Sequence, residues 1–496
     1  MSGYVPVVDR TQITLLPDAV DDFIAADNPV RVIDAFVNQV DMGATSFQRA
    51  APADLGRPGY DPRVLAKLYL YGYLNRVRSS RRLERETHRN VEVLWLTGYA
   101  RPDHKTISDF RAANARALKQ LFREFTVVCQ RLELFGKELV GIDGSKLRAV
   151  NAKDRSFTPR ELRRHLQRID ARIKDYLATL DAADRADAAA GVPGMPAAGE
   201  LQAKLTDLRA RQTEYRQLLA QLEASGETQV TLTDPESRRM KVKQGTEVCY
   251  NAQIAVDAAH HLLVVAEVTN DVTDVHQLAP LAEAAKAALG VETLEAVADR
   301  GYHNGPQVAR CVDAGITPLV PKPSAVTRAA SAGFAKERFT YLPESDAYRC
   351  PNDAVLPFHF ESLEAGEPQR YYYDAAACAS CPLRAQCTGQ QDPTQPRRIK
   401  RWGREAVLDA MAARLAARPE IHRQRKSLVE HPFGTLKRWD DGSYFLVRGL
   451  EKVRGEFSLM ALAYNLRRAI AVLGVQRILK ALGVGSSTQP FAPVPT

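Results

Sequence analysis

The stretch Glu138-Leu139-Val140-Gly141-Ile142-Asp143-Gly144-Ser145-Lys146-Leu147-Arg148-Ala149-Val150 marks the point where the chain changes character. It alternates and is rich in Val, Leu and Ile, as a strand should be, and within it Asp143 is flanked by glycine. Upstream the chain reads as helix after helix, with start signals at Asn28-Pro29 and Asp61-Pro62, where proline's fixed torsion suits the first helical position. The last of these helices places Leu118, Leu121, Phe122, Phe125, Val128 and Leu132 on one apolar stripe, which is core. Downstream, strand signals resume only at 250–257 and 261–268, two β-rich runs that read as a hairpin. A helix (275–289), a strand (294–298), a helix (307–314) and a strand (316–320) follow. That order is α/β.

Two insertions interrupt it. Between the first strand and the hairpin lie two heptad patterns: Leu162, Leu166, Ile169, Ile173, Leu177 and Leu180, then Leu201, Leu205, Leu208, Tyr215, Leu218 and Leu222. They predict an antiparallel helical hairpin over 158–225, because neither stripe can stay exposed along that length. Dimerisation, DNA contact and decoration are all open roles for it. A polar, Pro-punctuated stretch, 321–401, forms the second insertion. One long helical pattern from Glu405 and a closing apolar helix (457–473) complete the second domain, and the tail at 485–496 is expected to be disordered. The expected domains are a helical 1–136, a catalytic α/β unit at 137–320 and 402–475, and the two insertions.

The 496 residues are 45% hydrophobic and 26% charged, which rules out a disordered or fibrous chain. No run of about eighteen apolar residues occurs, and the first ten residues lack a secretory pattern, so the expectation is a soluble intracellular protein with no membrane role. Lys and Arg outnumber Asp and Glu by 68 to 59, and a net charge of +9 favours a polyanionic partner. Nucleic acid is the first candidate. Arg76, Arg78, Arg81, Arg82, Arg85 and Arg89 cluster against Glu84 and Glu86, then a break at Gly98 precedes a helix capped by Asp103. That resembles a helix-turn-helix, with the arginines on phosphates and the second helix in a groove; the bland alternative is a solvated basic face.

Chemistry gathers at three acids. Asp143 lies within the first strand, Asp299 follows the strand end Ala296-Val297-Ala298, and Glu430 sits in Leu428-Val429-Glu430-His431-Pro432-Phe433-Gly434, with Lys437 seven positions on. Pro432 predicts that the helix kinks or ends just past Glu430. Oxygen ligands from separated segments suit magnesium, and a pair of such ions holds both oxygens of an in-line phosphoryl displacement. Asp234, Glu236, Asp257, Asp271 and Asp274 compete; Asp257 fits a turn and Asp274 a helix cap, leaving Asp234 in reserve.

With Val140-Gly141-Ile142-Asp143-Gly144-Ser145-Lys146, Thr233-Asp234-Pro235-Glu236-Ser237-Arg238-Arg239-Met240, Tyr250-Asn251-Ala252-Gln253, Ala298-Asp299-Arg300-Gly301-Tyr302 and Val429-Glu430-His431-Pro432-Phe433-Gly434-Thr435-Leu436-Lys437, nearly the whole chain resembles bacterial insertion-sequence transposases of the Asp-Asp-Glu (DDE) type, closest to the group numbered eleven eighty-two. The resemblance implies a ribonuclease H-like catalytic fold and Asp143, Asp299 and Glu430 as ligands of two Mg2+ (or Mn2+). It also implies DNA contact by Lys437 near the cut, beside Arg438 and Lys426. Such an enzyme binds its element's terminal inverted repeats, cleaves DNA and joins the 3′ end to target DNA, as a homodimer in the bacterial cytoplasm at the nucleoid. A tyrosine and an arginine common in relatives seven and four positions before the glutamate are replaced here by Arg423 and Lys426; Arg425 stands nearby. The alternative is a non-catalytic DNA-binding relative.

Four of the seven cysteines, Cys350, Cys378, Cys381 and Cys387, fall in the second insertion; Cys129, Cys249 and Cys311 stand alone. Four thiolates suit structural zinc stapling a coreless insertion, with an iron–sulfur cluster or unliganded thiols as alternatives. Packing is the expected fate of Trp402 and Trp439, and His303 and Tyr302 either position a water or strand end or shape the pocket.

Overall fold

Asn28 and Asp61 start α1 (Pro29–Gln39) and α2 (Pro62–Leu74): each side chain accepts a first-turn amide, from Val30 and Arg63. The structure, a computed structural model, describes residues 19–48, 59–151, 153–190, 197–323, 333–390, 392, 394–439 and 442–484. The expected tail at 485–496 and the first 18 residues lie outside the described residues. Helices α3 (Ser80–Arg89), α4 (Val91–Thr97) and α5 (His104–Ala113) follow, with Gly98 ending α4 at φ 57° and Asp103 capping α5 through the Thr106 amide. The stripe of α6 (Ala115–Arg131) buries Leu118, Leu121, Phe122 and Phe125.

Strand β1 (Leu139–Arg148) leads into the first insertion, which a two-stranded clasp closes at its base: β2 (Ser156–Phe157) pairs with β3 (Val230–Thr231). Between them α7 (Pro159–Ala190) and α8 (Ala197–Ser225) pack together; Arg163 near the start of α7 meets Glu223 near the end of α8 at 2.7 Å, so the pair is antiparallel. Next come β4 (Arg238–Val242), β5 (Gly245–Asp257), β6 (Leu263–Thr269), α9 (Leu278–Leu289), β7 (Leu294–Val297), α10 (Gly305–Asp313) and β8 (Ile316–Leu319). In the six-stranded sheet β1 is central. It runs antiparallel to β5, which in turn pairs antiparallel with β4 and β6, and parallel to β7, which pairs with β8.

The second insertion departs from expectation. It is a five-stranded antiparallel meander of β9 (Thr340–Leu342), β10 (Ala347–Arg349), β11 (Val355–Glu364), β12 (Glu367–Tyr372) and, after two short helices α11 (Ala375–Ala379) and α12 (Arg384–Cys387), β13 (Ile399–Trp402). It is not coreless: Phe339, Tyr348, Leu356, Tyr372 and Ile399 form their own buried cluster. Strands of three to ten residues leave too few alternations to register in a polar stretch.

The helical pattern after Glu405 is two helices, α13 (Glu405–Ala417) and α14 (Ile421–Gly434), because Pro419 drives Arg418 out of helical torsions, to φ −132° and ψ 65°. Pro432 does not end α14. The helix runs through it to Gly434 and widens into a π turn at Thr435–Trp439, a geometry that re-spaces the ladder around proline's missing donor. The closing helices are α15 (Leu450–Leu473) and α16 (Val475–Ala481). Asn465 on buried α15 donates to and accepts from the backbone of Leu263, at 2.8 Å each, and so completes the edge of β6.

One hydrophobic core runs unbroken from α1 through the sheet to α16. Where the helical region meets α15, Glu456 is fully buried and accepts from Arg78 (2.9 Å), Tyr73 (3.0 Å) and the amides of Leu446 and Val447. Among the described residues no single helix is long and apolar enough to cross a membrane; α15 and α16, bent by 106°, pass that test only as a pair and are largely core.

Candidate active site

Gly141 lets α14 lie directly on β1: a Cβ there would sit 3.0 Å from Val429 Cγ1 and 3.3 Å from Leu428 Cβ. Side chains of a strand alternate between its faces, so Gly141, Asp143 and Ser145 share the face that α14 covers. Arg425 reaches across from α14 and pairs with Asp143 Oδ2 at 3.5 Å, while the Gly144 amide donates to Asp143 Oδ1. Downstream of the π turn, Lys437 donates to Ser145 Oγ on the same face.

Asp299 arrives from the neighbouring strand. Gly141 is in register with Val297 across the parallel β1–β7 ladder, so a step of two residues sets Asp299 beside Asp143 on one face. Its carboxylate caps a 3-10 turn, Arg300–Tyr302, by accepting the Gly301 amide at 2.7 Å. Burial pushes the Asp143 carboxyl up to about 6; Arg425 and the Gly144 amide pull it down, and the charges of Asp299 and Asp274 push it further up. Burial lowers the Lys437 ammonium, and Asp143 partly restores it.

Glu430 is on this helix but not in this cluster. At about 100° per residue it lies about 140° round α14 from Arg425, and its side chain is 64% exposed with Lys426 at 3.8 Å. Among the described residues no three His, Cys, Asp or Glu side chains stand close enough together to hold an ion. The paired strand acids, by contrast, fit a hard cation: two adjacent oxygen ligands, one of them a carboxyl held above its usual range chiefly by burial and further by the charge of the other.

The reverse face of β1 carries a polar network that sequence reasoning missed. Asp274 does not cap α9, whose N-cap is Gln277. Its Oδ1 instead accepts from Asn251 (2.6 Å), Gln253 (2.7 Å) and Lys146 (3.1 Å), and Gln253 Oε1 accepts the Tyr302 hydroxyl at 2.5 Å. Tyr302 thereby ties the turn bearing Asp299 to β5. Gly144 is required here, because its Cβ would fall 2.2 Å from Gln253 Nε2. Two fully buried amides, Asn251 and Gln253, on one face of an apolar strand were the signal available in the sequence. His303 is lowered by burial and by Lys322. Of the other acids, Asp257 accepts the amides of Gly136, Lys137 and Ala259, and Asp234 accepts Tyr250 and the Gly449 amide; both are buried structural residues, away from the pair.

The arginine cluster divides. Arg78 is withdrawn from the set of phosphate contacts, since it is buried against Glu456 and the Tyr444 carbonyl. Arg76, Arg81, Arg82, Arg85 and Arg89 are exposed, Arg89 pairing with Glu86. Arg438 and Lys426 are also exposed. Trp402 packs over Gly305 and donates to Glu367 at 2.9 Å; the Trp439 side chain lies outside the described residues.

Cys350, Cys378, Cys381 and Cys387 line one cavity of about 30 Å3 beside Phe339 and Arg397. The Asn352 amide donates to Cys350 Sγ at 3.4 Å. Burial raises the Cys387 thiol, as do the three neighbouring cysteines, against the pull of Arg397. Cys129, Cys249 and Cys311 are buried singly.

Two family models match the chain. The "Transposase domain (DUF772)" model matches residues 18–113, the helical region with the arginine cluster. The "Transposase DDE domain" model matches residues 349–470, which include Glu430 and Lys437 but neither Asp143 nor Asp299. Both are transposase domains, and together they support transposase function for a DNA-cleaving enzyme. Nothing among the curated proteins or the solved structures matches.

Proposed function

We propose that this protein is an insertion-sequence DDE transposase of the group numbered eleven eighty-two. In this reading it binds its element's terminal inverted repeats, cleaves phosphodiesters with two divalent metals and transfers the 3′ end to target DNA. The observation that carries this reading is the pair Asp143 and Asp299 on one sheet face, beneath a helix bearing Glu430, with Lys437 alongside. The order antiparallel β6, β5, β1 and then parallel β7, β8 supports a ribonuclease H-like catalytic fold over 137–320 and 402–475.

Asp143 and Asp299 would hold Mg2+ or Mn2+, with Glu430 joining once its side chain leaves Lys426. Bound ions lower the pKa of an attacking water or hydroxyl and stabilise the leaving oxygen. The chain's own groups do the rest. Arg425 neutralises part of the Asp143 charge while DNA is absent, and Lys437, its ammonium kept near Asp143 by Ser145, holds the phosphate at the cut. The exposed arginines Arg76, Arg81, Arg82, Arg85 and Arg89, with α3 to α5 as a helix-turn-helix, would grip the end repeats; Lys426 and Arg438 would contact DNA beside the site. Asp299's turn is fixed from below through Tyr302 and Gln253.

Cys350, Cys378, Cys381 and Cys387 line one cavity but stand too far apart to hold an ion as they are; drawn in around it they would hold a structural zinc, because soft thiolates select it over the oxygen-loving catalytic ions. Elemental analysis should find one zinc per chain, absent in Cys381→Ser. Two active sites working on two ends favour a homodimer in the DNA complex, acting at the bacterial nucleoid in the cytoplasm; light scattering with end DNA tests the stoichiometry.

Glu430 facing solvent and Arg425 facing Asp143 favour one second reading, a non-catalytic DNA-binding relative. Labelled duplex carrying the sequence that flanks the reading frame decides between them. Mg2+-dependent cutting that disappears in Asp299→Ala supports the enzyme, whereas tight binding without any cutting by wild type supports the relative.

A further inference from the structure

The first half of α7 carries a basic surface that no residue of the proposed site uses. Arg160, Arg164, Arg168 and Arg172 recur every four residues, so they follow one i+4 ridge along about 18 Å of helix. All four are exposed. Among the described residues none makes an ion pair, hydrogen bond or ring contact, unlike Arg163, Arg211 and Arg216 of the same hairpin, which meet Glu223, Asp207 and Asp170 at 2.7, 3.2 and 3.9 Å. Of the acids on α7, Glu161 accepts from Thr158 and Arg239 and Asp170 from Gln212, while Asp175, three residues past Arg172, forms no ion pair with it among the described residues. The apolar side chains that bind α7 to α8, buried Leu162 and Ile169 among them, lie on the opposite side from Arg160 and Arg164, and the ridge winds toward them at Arg172.

Like charges four residues apart destabilise a helix. This ridge is therefore a liability to the isolated hairpin, and an anion laid along it removes that cost. Each strand of duplex DNA offers a phosphate about every 3.4 Å of axis, so some five phosphates pass the ridge. From this geometry we infer that α7 is a track for the duplex DNA backbone, gripping one strand without reading sequence. The inference rests on the proposed DNA-binding function and adds to it a second contact surface, on the inserted hairpin.

Fluorescence anisotropy of the full chain with a labelled mixed-sequence duplex, from 50 to 200 mM KCl, tests it. In Arg160→Gln/Arg164→Gln/Arg168→Gln/Arg172→Gln the plot of log affinity against log salt should become shallower by about 3.6, at roughly 0.9 per lost phosphate contact, and affinity at 50 mM should fall at least about tenfold. The corresponding four-lysine variant should keep the wild-type slope. An unchanged slope in a glutamine variant of wild-type helical content overturns the inference. Should the quadruple variant misfold, Arg164→Gln and Arg168→Gln singly must each lower the slope by about 1, and no change in either also overturns it. Wild type that shows no salt-dependent binding would remove the DNA-binding reading itself; wild type whose slope responds only to substitutions on α3 would remove this inference alone.

Discussion

Asp143 is a carboxylate held where burial makes its charge costly, and Arg425, one amide and Lys437 offset part of that cost. Its folded-state pKa, about 6, lies above the ordinary 3.8, so the native state binds the proton more tightly than the unfolded chain. Its contribution to stability is therefore full below about pH 4 and lost as pH rises through about 6. Without divalent ions, Asp143→Asn should stabilise the protein by about 2–3 kcal/mol at pH 7.5 and by nothing below pH 4, in denaturant melts in EDTA across that range. A wild-type stability flat from pH 4 to 7.5 contradicts the burial argument. Mn2+ affinity should run the opposite way and weaken as pH falls through about 6, because protons and cations compete for one carboxylate. Asp143 and Asp299 stood out in the sequence because each ends or interrupts an apolar strand. The Asp274 network did not, because its members come from four separate segments and only the fold brings them together beside Gly144.

The contact of α14 with β1 is where element geometry sets the site. A Cβ at Gly141 would press on Val429 and Leu428, so Gly141→Val should lift α14 from the sheet. The expected cost is about 1–3 kcal/mol in urea unfolding, with Mn2+ binding weakened because Arg425, Glu430 and Lys437 move with the helix. Full cation affinity in that variant would argue that α14 has no part in the site. Element existence was largely legible: caps at Asn28, Asp61 and Asp103 and the heptads of the hairpin all mark real helices. What was not legible depended on context. Pro432 lies inside a helix because a π turn follows it, and the meander's aromatic core is spread over strands too short to show a period.

Across the whole molecule, the helical region and the α/β unit share one hydrophobic core and meet at Glu456. Removing one partner of a buried ion pair leaves an uncompensated charge, so Arg78→Ala should cost about 3–5 kcal/mol and lower one shared unfolding transition. Two separated transitions in calorimetry would show instead that the helical region melts alone. The basic cluster in the sequence concealed this, because charge counting cannot separate an arginine that grips phosphate from one that holds a buried glutamate. The same fold brings Asp143 and Asp299 together and leaves Glu430 on the rim. Anomalous diffraction from crystals of the protein with end-repeat DNA and Mn2+ tests the account most directly. It predicts manganese between Asp143 and Asp299, with the Glu430 carboxylate turned from Lys426 to coordinate it. Manganese elsewhere, or Glu430 still paired with Lys426 beside DNA seated in the site, would contradict it.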